Sequence, residues 1–203
     1  DFPPAAAFEG GPAEAALASA AAMGAVCRAA GIDVVCAPVL DLRVAGAHDV
    51  IGDRAFSADP AEVARLGLAV VAGLRRSGCV PVMKHIPGHG RALADSHEAL
   101  PVVTADVATL ARDLMPFRAV AETGAEAGAE AGVWAMTAHI RYPAWDAEHC
   151  ATFSQPIIGG VIRGEVGFDG VLITDDLAMG AVTGAARDLA GPALAAGCDL
   201  VLH

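Results

Sequence analysis

The feature that most constrains this chain is a repeat of short Val- and Ile-rich runs, each separated from the next by a helix-like stretch and most leading into polar residues. The runs cover residues 32–39, 79–85, 133–139, 170–174 and 199–202. Helical patterns fill the gaps at 13–30, 61–77, 107–122, 156–165 and 185–196. Strands buried on both faces read as continuous apolar runs, and helices make the crossovers between them, so the pattern predicts βα units around a parallel sheet. Leu40-Asp41 follows the first run, Lys84-His85 closes the second, Thr137-Ala138-His139 closes the third, and Thr174-Asp175-Asp176 closes the fourth. Functional side chains at the carboxyl ends of successive strands are the pattern of a (β/α)8 barrel, although a doubly wound sheet also binds its ligand there. A whole barrel has eight strands and about 250 residues. The expected fold is therefore α/β, a TIM-like barrel that is incomplete, with N-terminal strands and the C-terminal end missing. Residues 1–203 are read as one partial domain.

Composition narrows the partners. Hydrophobic residues make up 55% and charged residues 18%, enough apolar material for a sizeable core. A formal net charge of −11 repels phosphate backbones, so no nucleic acid partner is expected and a weakly charged small substrate is. No run approaches the roughly 18–20 uncharged apolar residues of a membrane span, so no membrane partner is expected. The five cysteines, Cys27, Cys36, Cys79, Cys150 and Cys198, are odd in number and contain no C-x-x-C pair. They read as reduced, mostly buried thiols in a reducing, cytoplasmic compartment. The low-complexity stretch 122–132, which joins a helix to the third strand, reads as a solvated linker or a helix extension.

Four segments carry possible chemistry. Lys84-His-Ile-Pro-Gly-His-Gly90 ends a strand and opens a loop that runs on to Asp95-Ser96-His97. Glycine there permits positive φ and close backbone approach. An Asp and a His two residues apart can fold back so that the carboxylate holds one ring nitrogen and the other faces a substrate. A surface turn holding an unremarkable Asp and His has the same spacing. Gly170 to Asp176 delivers carboxylates at the end of a buried strand, which suits a nucleophile, a helix cap, or one of each. Arg54, in Ile51-Gly-Asp-Arg-Ala-Phe56, offers several donors to hydroxyls or an amide carbonyl, or makes a surface ion pair. His139, with Asp146 and the following Ala151-Thr-Phe-Ser154, either lines the site or is a satisfied structural histidine. Trp134 is expected in the core, while Trp145 could stack on a sugar face.

Taken in order, Cys36-Ala-Pro-Val-Leu-Asp41, Ile51 to Phe56, Lys84 to Gly90, Asp95-Ser-His97, Met136-Thr-Ala-His139 and Ile173 to Met179 resemble glycoside hydrolase family 3. The similarity is to its bacterial β-N-acetylglucosaminidases of cell-wall recycling. It implies retaining hydrolysis of a terminal, non-reducing β-linked N-acetylglucosamine from peptidoglycan fragments, with no metal or organic cofactor. By position, Asp175 matches the nucleophile, His97 the general acid/base and Asp95 the group that orients His97. Arg54, Lys84 and His85 match residues that hold the sugar. The Asp-Ser-His segment separates this subgroup from family β-glucosidases, which take a glutamate from a separate domain. The family's first two strands, with a D-Q-E-G-G-like segment, and its last barrel elements have no counterpart here, which places part of the sugar pocket outside these residues.

Two other readings use the same residues. A metal-dependent barrel hydrolase would recruit His85, His89, His97, His139, Asp175 and Asp176. Ile86-Pro87-Gly88 between the first two histidines keeps them off a common helical face. A non-catalytic or degenerate carbohydrate-binding fragment is the other alternative.

Overall fold

The computed structural model describes residues 2–126 and 132–203. Helices start and stop on local chemistry. Helix α2 (Pro60–Arg76) shows how: the Asp59 side chain accepts from the Ala61 N–H at 3.1 Å, and Pro60 occupies the first turn, where its missing N–H costs nothing. Glu62 sits near the helix start and Arg75 and Arg76 near its end, each matching the helix dipole. Val63, Leu66, Val70 and Leu74 recur at helical spacing and are buried. Gly78, at φ +81°, turns the chain into the next strand.

Helix α1 (Ala13–Ala29) lies against α2 through small residues. Ala16 and Ala20 are buried, and Gly73 of α2 faces the Leu17 carbonyl so closely that a Cβ would collide with it. The remaining α-helices are α3 (Val107–Glu126) and α4 (Ala186–Ala196). α4 ends on Gly197 at φ +119°, a left-handed cap open to glycine.

Five strands form one parallel sheet in chain order: β1 (Val34–Val35), β2 (Val80–Ile86), β3 (Trp134–Thr137), β4 (Leu172–Asp176) and β5 (Leu200–Leu202). Each neighbour is the next strand in sequence, as in a barrel rather than a doubly wound sheet. The sheet is an incomplete TIM-like barrel. Side chains alternate: Val82, Met136 and Ile173 gather on one face with Val34 and Trp134, while Met83, Ile86, Ala135 and Leu172 enter the large core under the helices. Trp134 is thus a packing residue.

Three expected elements differ in form. The first strand, expected over 32–39, is regular only at Val34–Val35. Ala37 folds back to bond the Val35 carbonyl and Pro38 has no N–H to donate, so the pairing with β2 continues irregularly through Ala37, Pro38 and Leu40. The segment Pro156–Glu165, expected as an ordinary helix, is a π-helix in which Gly159, Gly160 and Gly164 oppose little side-chain bulk to the wider turn. The fourth strand, expected over 170–174 and closed by the two aspartates, begins at Leu172 and includes both, running through Asp175 to Asp176. Of the stretch 122–132, residues 127–131 lie outside the described ones, and α3 occupies it up to Glu126. Cys79, Cys150 and Cys198 are buried, Cys27 is half-buried and Cys36 exposed, all as free thiols. Among the described residues no helix is long and apolar enough to cross a membrane.

Candidate active site

The carboxyl ends of β1, β2 and β4 meet around one buried aspartate. Asp41 has no exposed surface. Its Oδ1 accepts the backbone N–H groups of His85 (3.2 Å) and His89 (2.6 Å), and its Oδ2 lies 2.6 Å from His85 Nδ1. Burial pushes this carboxyl up, but the charge and hydrogen bond of His85 and the charge and amide of His89 outweigh it, so the pKa falls below the ordinary aspartate range. Asp41 is therefore ionised and His85 Nδ1 must carry the proton between them. The other face of the His85 ring turns Nε2 toward Asp175, 4.0 Å from its Oδ2. Asp175 is mostly buried, and its Oδ1 accepts the Asp176 N–H at 2.9 Å.

The two adjacent aspartates have different surroundings. Asp176 Oδ1 closes a turn by accepting from the Ala178 N–H at 2.9 Å. That segment is a run of turns, not the helix expected to follow, so Asp176 caps a turn. The Asp176 carbonyl meets His139 Nε2 at 3.1 Å, while His139 Nδ1 lies 2.7 Å from the Thr152 hydroxyl, itself 2.8 Å from Thr137 Oγ1. Burial holds the His139 pKa down despite the charges of Asp175 and Asp176, so the ring is neutral. A carbonyl can only accept, so Nε2 carries the proton and Nδ1 accepts from Thr152. His139, fully buried with both nitrogens satisfied, is a structural buttress of the β4 end.

The Pro-Gly-His-Gly loop is tied down on several sides. The Tyr142 hydroxyl donates to the Gly88 carbonyl at 2.8 Å, and Arg91 makes a two-pronged pair with Asp113 of α3 at 2.6 and 3.0 Å. Gly90 passes against the Leu42 carbonyl so closely that a Cβ would overlap it. His89 Nε2 lies 3.0 Å from the Ser96 hydroxyl. Beyond it, Asp95 Oδ1 receives the His97 N–H (2.8 Å) and faces His97 Nδ1 (2.7 Å), which is the fold-back expected from the spacing. The His97 amide and ring hold the Asp95 pKa below the ordinary range. The His97 side chain is 60% exposed, so Nε2 is open to a ligand. The loop rests on the segment leaving β4: Gly180 N–H donates to the His97 carbonyl and Ala181 N–H to the Ser96 carbonyl, both at 3.0 Å.

Arg54 and Lys84 line a common cavity of about 290 Å³ beside β1, with Val39 and Phe56 among its walls. Arg54 Nη2 donates to the Val50 carbonyl at 2.5 Å. Among the described residues neither makes an ion pair with Asp175, whose neighbour is the His85 ring. Asp146 is held at about 2: burial is overcome by the Glu148 and His149 amides and by Ser154 and His149 side chains, which makes it an organiser of its own loop. Trp145 stacks at a tilt on buried Tyr142, with centroids 5.5 Å apart. Among the described residues no three His, Cys, Asp or Glu side chains converge as a metal site would require, and His89 and His139 are engaged elsewhere.

No motif or spacing marks Ser96, Thr152 or the Gly180-Ala181 amides as members of the site. Asp41 stands where the strand-end pattern put it, but its partners, His85 and His89, are set only by the fold.

The family model of the glycosyl hydrolase family 3 N terminal domain matches residues 1–203. A β-hexosaminidase of Thiobacillus denitrificans is 44% identical over 178 residues, covering 86% of this chain and 47% of that protein. Among solved structures, a glycoside hydrolase family 3 β-N-acetylglucosaminidase from Paenibacillus superposes with a TM-score of 0.87 at 39% identity, over 98% of this chain and 36% of that one. NagZ from Neisseria gonorrhoeae, in complex with N-trifluoroacetyl-D-glucosamine, superposes with a TM-score of 0.80 at 38% identity, over 93% of this chain and 52% of that one. The chain thus spans about half the length of curated relatives of this kind. Matched from end to end and sharing the fold at close to 40% identity, the chain belongs to glycoside hydrolase family 3.

Proposed function

We propose that this chain is a partial barrel domain of a retaining β-N-acetylhexosaminidase that removes terminal β-linked N-acetylglucosamine from peptidoglycan fragments in cell-wall recycling. The observation that carries the reading is the pairing of two assemblies: a strand-end carboxylate, Asp175, beside the His85 ring, and an Asp95–His97 dyad whose backbone rests on the segment leaving the same strand. The relatives' names supply the sugar class. The small-molecule partner is an N-acetylglucosamine-containing muropeptide, with no metal or organic cofactor taking part. Five free thiols support a reducing, cytoplasmic location.

The reaction has two displacements. An Asp175 oxygen attacks the anomeric carbon as the glycosidic C–O bond breaks, and His97 gives its Nε2 proton to the departing oxygen. Water then attacks the glycosyl-aspartate, yields a proton to His97 and leaves its hydroxyl on the sugar, freeing Asp175. Asp95, ionised and bonded at Nδ1, fixes the ring tautomer and stabilises the imidazolium. Histidine is a side chain suited to acting as acid and then as base near neutrality. His85, oriented by Asp41, and Arg54 and Lys84 hold the sugar.

The test is hydrolysis of 4-nitrophenyl β-N-acetylglucosaminide by the full-length protein, with a 2-fluoro sugar as trap. Label on Asp175 is expected, and Asp175→Ala should lose on the order of 10⁴-fold or more in kcat. His97→Ala should lose roughly 10²–10⁴-fold on a disaccharide and far less on the aryl glycoside, whose leaving group needs little protonation. Label on Asp176, or equal losses on both substrates, would overturn these roles.

A further inference from the structure

The Asp95-Ser96-His97 segment contains one residue that the chemistry leaves unused. Ser96 is 2% exposed although both its neighbours reach the surface. Its hydroxyl lies 3.0 Å from His89 Nε2. His89 is seated by its own N–H on Asp41, and its Nδ1 is buried without a partner among the described residues, so Ser96 is the ring's one hydrogen-bond partner there. On the other side, the Ser96 and His97 carbonyls accept from Ala181 and Gly180. The two backbones meet only because residue 180 has no side chain: a Cβ there would stand 2.6 Å from the His97 oxygen and 2.8 Å from that of Glu98. Three hydrogen bonds thus grip two consecutive loop residues between the β2 loop and the segment leaving β4. The Asp95 and His97 side chains take no part in the grip.

We propose that Ser96 is a positioning residue: its hydroxyl, set on His89, and the Gly180 and Ala181 amides form a dock that holds the His97 ring over the substrate. This rests on the acid/base reading of His97. The backbone bonds fix the loop's position along β4, and the side-chain bond anchors it to the β2 end. Removing the hydroxyl takes away the only contact of the three that ties the loop to the His89–Asp41 pair, and leaves a buried imidazole unpaired. A lost bond of that kind shifts a docked-to-undocked balance by roughly 5- to 50-fold. An undocked loop leaves Asp175 in place but withdraws the proton donor.

The test compares Ser96→Ala with His97→Ala and wild type in the full-length protein, using kcat/KM, which reports formation of the glycosyl-enzyme. Ser96→Ala should lose roughly 5- to 50-fold on a β-linked N-acetylglucosaminyl disaccharide and less than about threefold on the 4-nitrophenyl glycoside. The rate of labelling by an activated 2-fluoro trap should stay within the same threefold. A merely structural serine would lower both substrates and the labelling rate together, and that result, or no loss at all, overturns the dock. If His97→Ala itself showed no dependence on the leaving group, the acid/base reading would fail. If it showed that dependence and Ser96→Ala did not, the dock alone would fail.

Discussion

Asp41→Asn isolates the charge at the centre of the site. The amide keeps the shape of the carboxylate and one acceptor oxygen, which can still receive the His85 and His89 amides that share Oδ1. It loses the ionised oxygen 2.6 Å from His85 Nδ1 and presents an NH2 there, so one charge-assisted bond is removed. That loss costs about 1.5–3 kcal/mol. Asp41→Ala strips all three bonds and leaves two buried N–H groups and a ring nitrogen unpaired, for about 3–5 kcal/mol. At about 2–4 °C per kcal/mol for a domain of this size, the Asn variant should melt about 3–12 °C lower. Equilibrium urea unfolding at pH 7 measures the differences directly. The pH dependence gives a second check. Asp41 has a depressed folded pKa, so its contribution is complete above the unfolded carboxylate value near ~3.9 and disappears as pH falls through the folded value. The gap between wild type and Asp41→Asn should hold from pH 5 to 8 and narrow below about pH 4. A gap under about 0.5 kcal/mol at pH 7, an Ala variant no worse than Asn, or a gap undiminished in acid would refute a buried ionised hub.

Two further outcomes follow from the same geometry. Gly90→Ala sets a methyl into the Leu42 carbonyl, a backbone atom that cannot swing aside, and should destabilise by about 1–3 kcal/mol or more in urea unfolding; an unchanged midpoint would show that the close approach is dispensable. Burial holds His89 and His139 below the ordinary histidine range, and the charges of Asp41 and Asp175 do not offset it. The unfolded chain therefore binds protons first, and stability should decline as pH drops from about 6.5 toward the folded values. Urea midpoints at pH 8, 6.5 and 5.5 that do not fall would contradict neutral buried rings.

The barrel was legible because its strands are short apolar runs with chemistry at their ends, a pattern set by burial and chain direction. The His97–Asp95 fold-back was legible as one of two local outcomes, since a two-residue spacing allows it and equally fits a plain surface turn. What escaped was set by tertiary distance. Asp41 becomes the partner of His85 and His89 only when β1 pairs with β2, and no local spacing records that, while Ser96 meets His89 from seven residues along the same loop, a spacing that names no partner. The same holds for Gly180, whose importance lies in a carbonyl brought from another βα unit. Lys84 and His85 illustrate the limit: adjacent in sequence and both matched to residues that hold the sugar, they were sent to different surroundings, one to the β1 cavity and one to the carboxylates. The π-helix escaped because its apolar spacing resembles that of an ordinary helix.

The order of the strands has a consequence for biosynthesis. Because every strand lies next to its predecessor in the chain, a polypeptide leaving the ribosome can lay each βα unit onto one that is already formed. Asp41, His85 and His89 can assemble as soon as β2 has emerged. The seat for Ser96 and His97 needs Gly180 and Ala181, which are made later, so the loop waits half-fastened until β4 has been added. The order of synthesis thus separates two parts of the site: the Asp41 hub closes early, and the loop carrying Asp95 and His97 is fully seated only after β4.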